Sequence, residues 1–341
     1  MGKMKQCYMI YTEAEGQKNH AFIELFRQTG EGQGLLFSFV PVNQYQQMPL
    51  PDLVLNRSRD PLVSRWYEDR QIQAFHDSDM VEIGNDKYKT LLRLQERLTG
   101  KDLLLLQSGG GHRGHKGNWV TGAVNGSKAV DGGIKIGREN SESEDKGISS
   151  GWCPGSFLLT ERMKKDFHFL QQQIEKRLGT VDVVVLKTVD GHGGSEVYRL
   201  SADPVRDALL WKQTLAGLQG KQLLCQEWVD SNSRDLRVYI LWGEIYAAVL
   251  RQGQQDFRSN YSRGGSIRQY DLSERERAYI EPFIQALGGR RLAMAGIDFL
   301  VQWDGTLLFN ELEEMVGCRM LYQCTEQDIV QDYIMGMTEF L

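Results

Sequence analysis

Apolar and polar positions follow two rhythms along this chain. Between about residues 5 and 95, short apolar runs at 7–11, 35–40 and 52–56 predict strands. Between the first two, Phe22, Ile23, Leu25 and Phe26 place an apolar stripe on a helix over 19–29. Short strands joined through helices predict a parallel sheet with covered faces. The polar stretch 56–60 follows the third strand, and ligands gather at the carboxyl ends of such strands. Arg57 is therefore either an anion contact or an exposed surface pair. Asn85 or Asp86 can cap a helix reaching about residue 98, with Lys87 in its first turn, where a positive charge opposes the helix dipole.

The rhythm breaks from about residue 100 to 155. That segment is rich in Gly, Ser, Asn and Lys and reads mostly as a long mobile loop or insertion. His112 and His115 within it are either metal or phosphate contacts or simply solvated. Order is expected to return at Phe157, with a helix over about 161–177, then a strand over 181–187 ending in Lys187. A glycine-rich turn follows, holding Gly191, Gly193 and Gly194, and another strand at 196–200. Such a turn lets backbone N–H groups approach phosphate oxygens, and Lys187 can place an ammonium on the same phosphates; a plain glycine hairpin is the alternative. After a helix over about 204–218, an apolar strand runs into Gln226, Glu227, Trp228, Val229 and Asp230. Its backbone can hold a purine and its carboxylate a ribose. Residues 234–251 read as strand, turn at 243–244 and strand, with Asp235 and Arg237 on one face. The polar loop 257–265 holds Arg258 and Asn260 and suits an anion. A helix over 273–287 precedes a hairpin at 296–317, and a helix over about 327–340 closes the chain.

The hairpin carries the sharpest chemistry. Asp304-Gly305 suits a two-residue β-turn, and with those two residues as the loop, Asp298 falls opposite Glu311. Glu313 points to the same face as Glu311. Carboxylates so placed repel one another. Either they are charges on a wet face, or a hard divalent cation such as Mg²⁺ sits among them.

Bulk composition narrows the classes. With 341 residues the chain can bury a large core in two or three domains. A net charge of −5 gives no basic field for nucleic acid or anionic membrane. Five scattered cysteines without a Cys-x-x-Cys argue against a disulfide framework or structural zinc. No apolar run approaches a membrane span or a signal region, so a cytoplasmic protein is expected.

The order of these pieces is more specific than any one of them. Lys87, the strand ending in Lys187 with its glycine loop, Gln226-Glu-Trp-Val, Asp235-Leu-Arg237, Phe257-Arg-Ser-Asn260, Asp298 and Glu311 follow one another as in the ATP-grasp superfamily. The chain most closely resembles the branch of the ribosomal protein S6 glutamate ligase, the RimK-like proteins. That resemblance implies an α/β protein with two α+β lobes gripping ATP, preceded by a Rossmann-like pre-grasp domain. The expected domains are 1–84 (pre-grasp), 85–225 (central lobe, with the insertion at about 101–155) and 226–341 (C-terminal lobe with the metal hairpin). It also implies that Lys87, Lys187 and the glycine loop contact ATP phosphates and that Gln226 to Val229 form the adenine hinge, with Glu227 or Asp230 on the ribose. Arg237, Arg258 and Asn260 would meet the γ-phosphate and acyl-phosphate. Asp298, Glu311 and Glu313 would hold Mg²⁺, as one ion or two, with Mn²⁺ able to substitute.

The implied activity is ATP-dependent joining of a carboxylate and an amine, small-molecule or peptide, through an acyl-phosphate. A phosphotransferase and a non-catalytic ATP-binding module are the alternatives, and a homodimer is a family expectation. Two departures stand out. The family's metal strand reads Glu-x-Asn followed by small residues, Pro and Gly, whereas here Glu313 replaces the amide and the Pro is lost. Lys87 and Lys187 are also unusually far apart in the chain.

Overall fold

The computed structural model describes residues 4–98, 147–194, 196–253 and 265–341. Three sheets organise them, and the first is wholly parallel. Strands β1 (Lys5–Tyr11), β2 (Leu35–Pro41), β3 (Leu53–Asn56) and β4 (Gln73–Phe75) lie in the order β2-β1-β3-β4. This is the sheet expected from the buried apolar runs; β4, three residues long, is too short to show in the pattern.

The second sheet is antiparallel and is built from β5 (Ile148–Ser150), β6 (Cys153–Leu158), β7 (Val183–Thr188), β8 (Val197–Ser201) and β9 (Leu223–Glu227), in the order β5-β6-β9-β7-β8. Two expectations are corrected here. Order begins before Phe157, because residues 148–158 pair as β5 and β6 instead of continuing the loop. The helix expected over 161–177 is two helices, Glu161–Lys165 and Phe167–Leu178, divided at Asp166. The Asp166 side chain accepts from the Phe169 N–H at 3.0 Å, which caps a new helix start. Phe157, Leu170, Leu186, Trp211 and Cys225 form this sheet's core.

The third sheet contains β10 (Arg234–Leu241), β11 (Glu244–Gln252), β12 (Ser266–Gln269), β13 (Met294–Val301) and β14 (Leu307–Glu313), in the order β12-β11-β10-β13-β14. Both faces are covered, so β10 is apolar on both. Leu236, Val238 and Ile240 pack with the helices Lys87–Arg97 and Glu274–Leu287. Tyr239 and Leu241 pack with the helix Ile329–Met337 and with residues of the parallel sheet. On that second face the alternation also places Asp235, Arg237, Arg251 and Asp298, so one end of an otherwise apolar face is ionic.

Both hairpin turns differ from expectation. The β10–β11 turn is Trp242-Gly243, with φ of 52° and 82°, one residue before the expected 243–244. In the β13–β14 hairpin, the Gln302 N–H donates to Thr306 O at 2.9 Å and the Gly305 N–H to Gln302 O at 3.0 Å. The loop is therefore three residues, Trp303 to Gly305, with Gly305 at φ 87°. That shifts the register by one near the turn, pairing Phe299 with Phe309. A bulge at Asn310 restores it, so Asp298 still faces Glu311. The expected pairing is present, through two offsetting irregularities.

Candidate functional site

A cleft opens between the second and third sheets. Its walls carry Lys87, Lys187, Gly191, Gly193 and Gly194, then Gln226, Glu227, Trp228 and Val229, with Asp298, Asn310 and Glu311 opposite. Asp230 is not among them; it is exposed, and its carboxylate caps its own loop at the Asn232 N–H, 3.0 Å away. Arg258 and Asn260, like His112 and His115, lie outside the described residues.

Each lysine has a definite placement. Asp86 caps the helix Lys87–Arg97 by accepting from the Tyr88 and Lys89 N–H groups, which puts Lys87 at the first helical position. The Lys87 N–H donates to Val189 O at 2.9 Å, and its ammonium donates to Gly191 O and lies 3.6 Å from Glu311 Oε2. The helix start and the glycine-rich loop are thus joined. His192 adds a second tie, with Nε2 2.9 Å from Asn85 Oδ1. Lys187, at the end of β7, is only 4% exposed, and its Nζ donates to Asn310 Oδ1 at 3.4 Å. Burial drives its pKa down to about 8, with Lys87 pushing the same way against Glu311.

The end of β9 is held by its own sheet. Gln226 donates to Ser156 Oγ at 3.0 Å, which fixes its amide away from free rotation. Burial raises the Glu227 carboxyl, with the Gly155 N–H opposing, and Arg199 lies 4.4 Å over the Trp228 ring.

At β13 and β14 the repulsion expected among carboxylates is relieved by arginine. Arg237 holds both oxygens of Asp298, at 2.7 Å each, and also pairs with Glu313. Arg251 donates to Asp298 Oδ2 at 2.7 Å and forks onto Asp235. Burial would raise the Asp298 carboxyl, but the two guanidiniums outweigh it and hold it low. At Asp235, which has Arg251 alone, burial dominates and raises it. Arg251 and Asn310 were not singled out from sequence. The Asp235–Arg251 pairing depends on a bulge between Tyr239 and Ile240 that shifts the hairpin by one residue, and no residue type announces it.

The fit to a divalent cation follows from these contacts. Among the described residues, no three His, Cys, Asp or Glu side chains are grouped to hold a metal. Glu313 is turned to Arg237 and does not line the cleft, contrary to its expected place as a metal ligand. Arg237 is likewise committed to Asp298 and not free for a phosphate. Glu311 makes no hydrogen bond among the described residues, and Asp298 and Asn310 supply further oxygens on the same wall. Hard oxygen donors of this kind suit Mg²⁺, with Glu311 the available ligand and Asp298 one that must share. Arg57, expected at an anion or a surface pair, does neither. Its Nη2 donates to Met315 O at 2.9 Å and its guanidinium lies 4.9 Å over Phe22, fastening the segment after β14 to the end of the parallel sheet.

The RimK-like ATP-grasp domain family matches residues 158–336, more than half of the chain. A probable alpha-L-glutamate ligase of Enterobacter sp. (strain 638) is 35% identical over 152 residues, covering 43% of this chain and 47% of that one. The chain spans about half the length of the curated relatives it matches. Among solved structures, the ATP-grasp ligase PsnB aligns with a TM-score of 0.60 at 13% identity over 99% of both chains. The D-alanine–D-alanine ligase of Bacillus anthracis gives 0.58 at 13%, covering 98% of this chain and 97% of that one. At such identities these two likenesses establish the ATP-grasp fold. Among the described residues, no helix is long and apolar enough to cross a membrane.

Proposed function

The chain belongs to the RimK-like ATP-grasp family, and from that premise we propose that it is an ATP- and Mg²⁺-dependent carboxylate–amine ligase working through an acyl-phosphate. The observation that carries this reading is the convergence of Lys87, Lys187, the glycine-rich loop and residues 226–229 on one cleft, with Glu311 on the opposite wall. A substrate carboxylate oxygen attacks the γ-phosphorus of ATP, and the bond to the bridging oxygen breaks to release ADP. An amine then attacks the acyl carbon, phosphate leaves, and the amine's proton is lost to solvent as the amide forms.

Little covalent work falls to the protein; positioning and charge do the rest. Lys187 presents an ammonium whose desolvation is completed on folding, so it meets phosphate charge at close to full strength. Lys87 exchanges the Gly191 carbonyl for phosphate oxygen, which couples nucleotide entry to the position of the glycine loop. Mg²⁺, held at Glu311 with Asp298, would neutralise phosphate charge. The names of its relatives support a substrate that is an amino acid or peptide: one group is called probable alpha-L-glutamate ligases, and PsnB has a structure with a minimal precursor, Mg and ADP.

The engagement of both Asp298 oxygens by arginine favours a second reading, a nucleotide-binding module without ligase activity. Thermal unfolding with a non-hydrolysable ATP analogue and Mg²⁺ tests the shared site. A ligand at a hundred times its Kd stabilises the native state by about 2.7 kcal/mol. The shift is expected to need both ligands together and to be lost in Glu311→Ala. A wild type that neither ligand shifts at millimolar concentration would overturn the assignment of the cleft to nucleotide.

A further inference from the structure

The loop after β3 contains a residue the nucleotide site does not use. Arg59 has φ of 64°, in the left-handed region that a non-glycine side chain seldom occupies. The loop is built to keep it there. Asn56 is fully buried; its amide donates to Asp60 O at 3.0 Å and to Ser64 Oγ at 2.8 Å, while its Oδ1 accepts from the Ser58 N–H and hydroxyl. From the other side the Asn85 amide reaches Arg59 O at 3.5 Å. Backbone strain that the surroundings over-determine points to a functional position.

The Arg59 guanidinium is half-buried and makes no hydrogen bond or ion pair among the described residues. Burial lowers the His192 imidazole, with the Arg59 charge acting the same way, and raises the Glu314 carboxyl to about 7, with Arg59 opposing. Asn85, which reaches the Arg59 carbonyl, also meets His192 of the glycine-rich loop, and its neighbour Gly84 packs against Glu314 just after β14, so the Arg59 loop lies against both segments. The Glu314 side chain is 2% exposed, with Oε1 unpartnered, and fits because residue 84 is glycine; a Cβ there would lie 2.6 Å from Glu314 Oε2. A fixed, unpaired cation beside a buried carboxyl group is a receptor for a molecule that carries both charges.

We propose that Arg59 is a specificity-determining residue that holds a spectator carboxylate of an amino-acid or peptide substrate, with Glu314 facing its ammonium end. This rests on the ligase reading above and names its substrate class as one bearing a free carboxylate besides the one activated.

The test compares L-glutamate and L-aspartate, which carry two carboxylates, with their singly amidated forms as substrates, reading ADP release and, with the ATP analogue and Mg²⁺ present, binding by calorimetry. Wild type is expected to prefer the acid. Arg59→Gln is expected to raise KM for it by about 10–100-fold, the loss typical of one charged hydrogen-bonded pair, and to erase the preference. The thermal shift with ATP analogue and Mg²⁺ should be unchanged. Arg59→Lys should recover part of the preference. Arg59→Gly, which suits the left-handed backbone, should melt no lower than wild type yet behave as Arg59→Gln does. Substrate-dependent ADP release with equal use of acid and carboxamide, or with no effect of Arg59→Gln, would overturn the assignment of Arg59 and leave the ligase reading standing. Arg59-dependent binding of amino acids without ADP release would do the reverse. Failure of every acid tested to bind or react in wild type would overturn the assignment as well.

Discussion

Arg251→Met is expected to lower the stability of the nucleotide-free protein by about 3–5 kcal/mol, read by urea or thermal unfolding. Arg251 is 3% exposed and forks onto Asp235, which has no other side-chain partner among the described residues. Removing the guanidinium leaves that carboxyl group buried and unpaired, whereas Asp298 retains Arg237. Asp235→Leu together with Arg251→Met is expected to recover most of the loss, because the buried ions are then removed as a pair. A loss below about 1 kcal/mol for Arg251→Met would mean that the buried ionic end of the sheet is wetter than its exposure indicates.

Lys187→Met is expected to separate stability from function. The ammonium is buried, and its pKa of about 8 against an ordinary 10.5 corresponds to about 3 kcal/mol of unfavourable transfer at neutral pH. Methionine fills similar volume without the charge, so the free protein is expected to gain about 1–3 kcal/mol. Activity is expected to fall by about 10²–10³-fold, the usual cost of removing one preorganised charge from a transition state.

The pH dependence carries the same signature. With a folded pKa below the unfolded one, the unfolded chain holds the proton between about pH 8 and 10.5 while the folded chain does not. Stability therefore rises with pH across that window and is flat with respect to this group below it. Lys187→Met should lack that rise. A bound triphosphate favours the ammonium, so nucleotide affinity should weaken as pH climbs through 8, with proton uptake on binding. Affinity that is level from pH 7 to 9.5 would contradict the placement of Lys187 at the phosphates.

What could be read from sequence, and what could not, divides along local and long-range structure. Period-two and period-3.6 patterns located β1, β2 and β3, the helices Lys87–Arg97 and Glu274–Leu287, and the strands ending at Lys187 and Glu227, because each buries one face or both. The ordered series of short motifs brought the family into view, since their order along the chain remains readable when the spacing between them changes. The hairpin pairing of Asp298 with Glu311 was also reached, although the loop is longer than expected and a bulge offsets it.

The ion cluster was not legible. Which arginine meets which carboxylate is set by the registers of β10 with β11 and with β13, and the bulge that offsets β10 against β11 leaves no compositional mark. Glu313 was placed with the metal for that reason, when Arg237 claims it. Arg57 illustrates the same limit: its carbonyl partners, Met315 and Val316, lie more than two hundred residues away in sequence. Arg59 was invisible too, since positive φ in a non-glycine residue depends on the buried Asn56 network.

The ligase reading is tested most directly by trapping the acyl-phosphate. Protein, ATP, Mg²⁺ and L-glutamate would be incubated with hydroxylamine, and hydroxamate and ADP measured together. Hydroxamate is expected in proportion to ADP, dependent on the carboxylate substrate and lowered about 10²–10³-fold in Lys187→Met. Glutamate-dependent ADP release without hydroxamate, the phosphate appearing as inorganic phosphate with no acyl-phosphate trapped, would contradict the ligase reading.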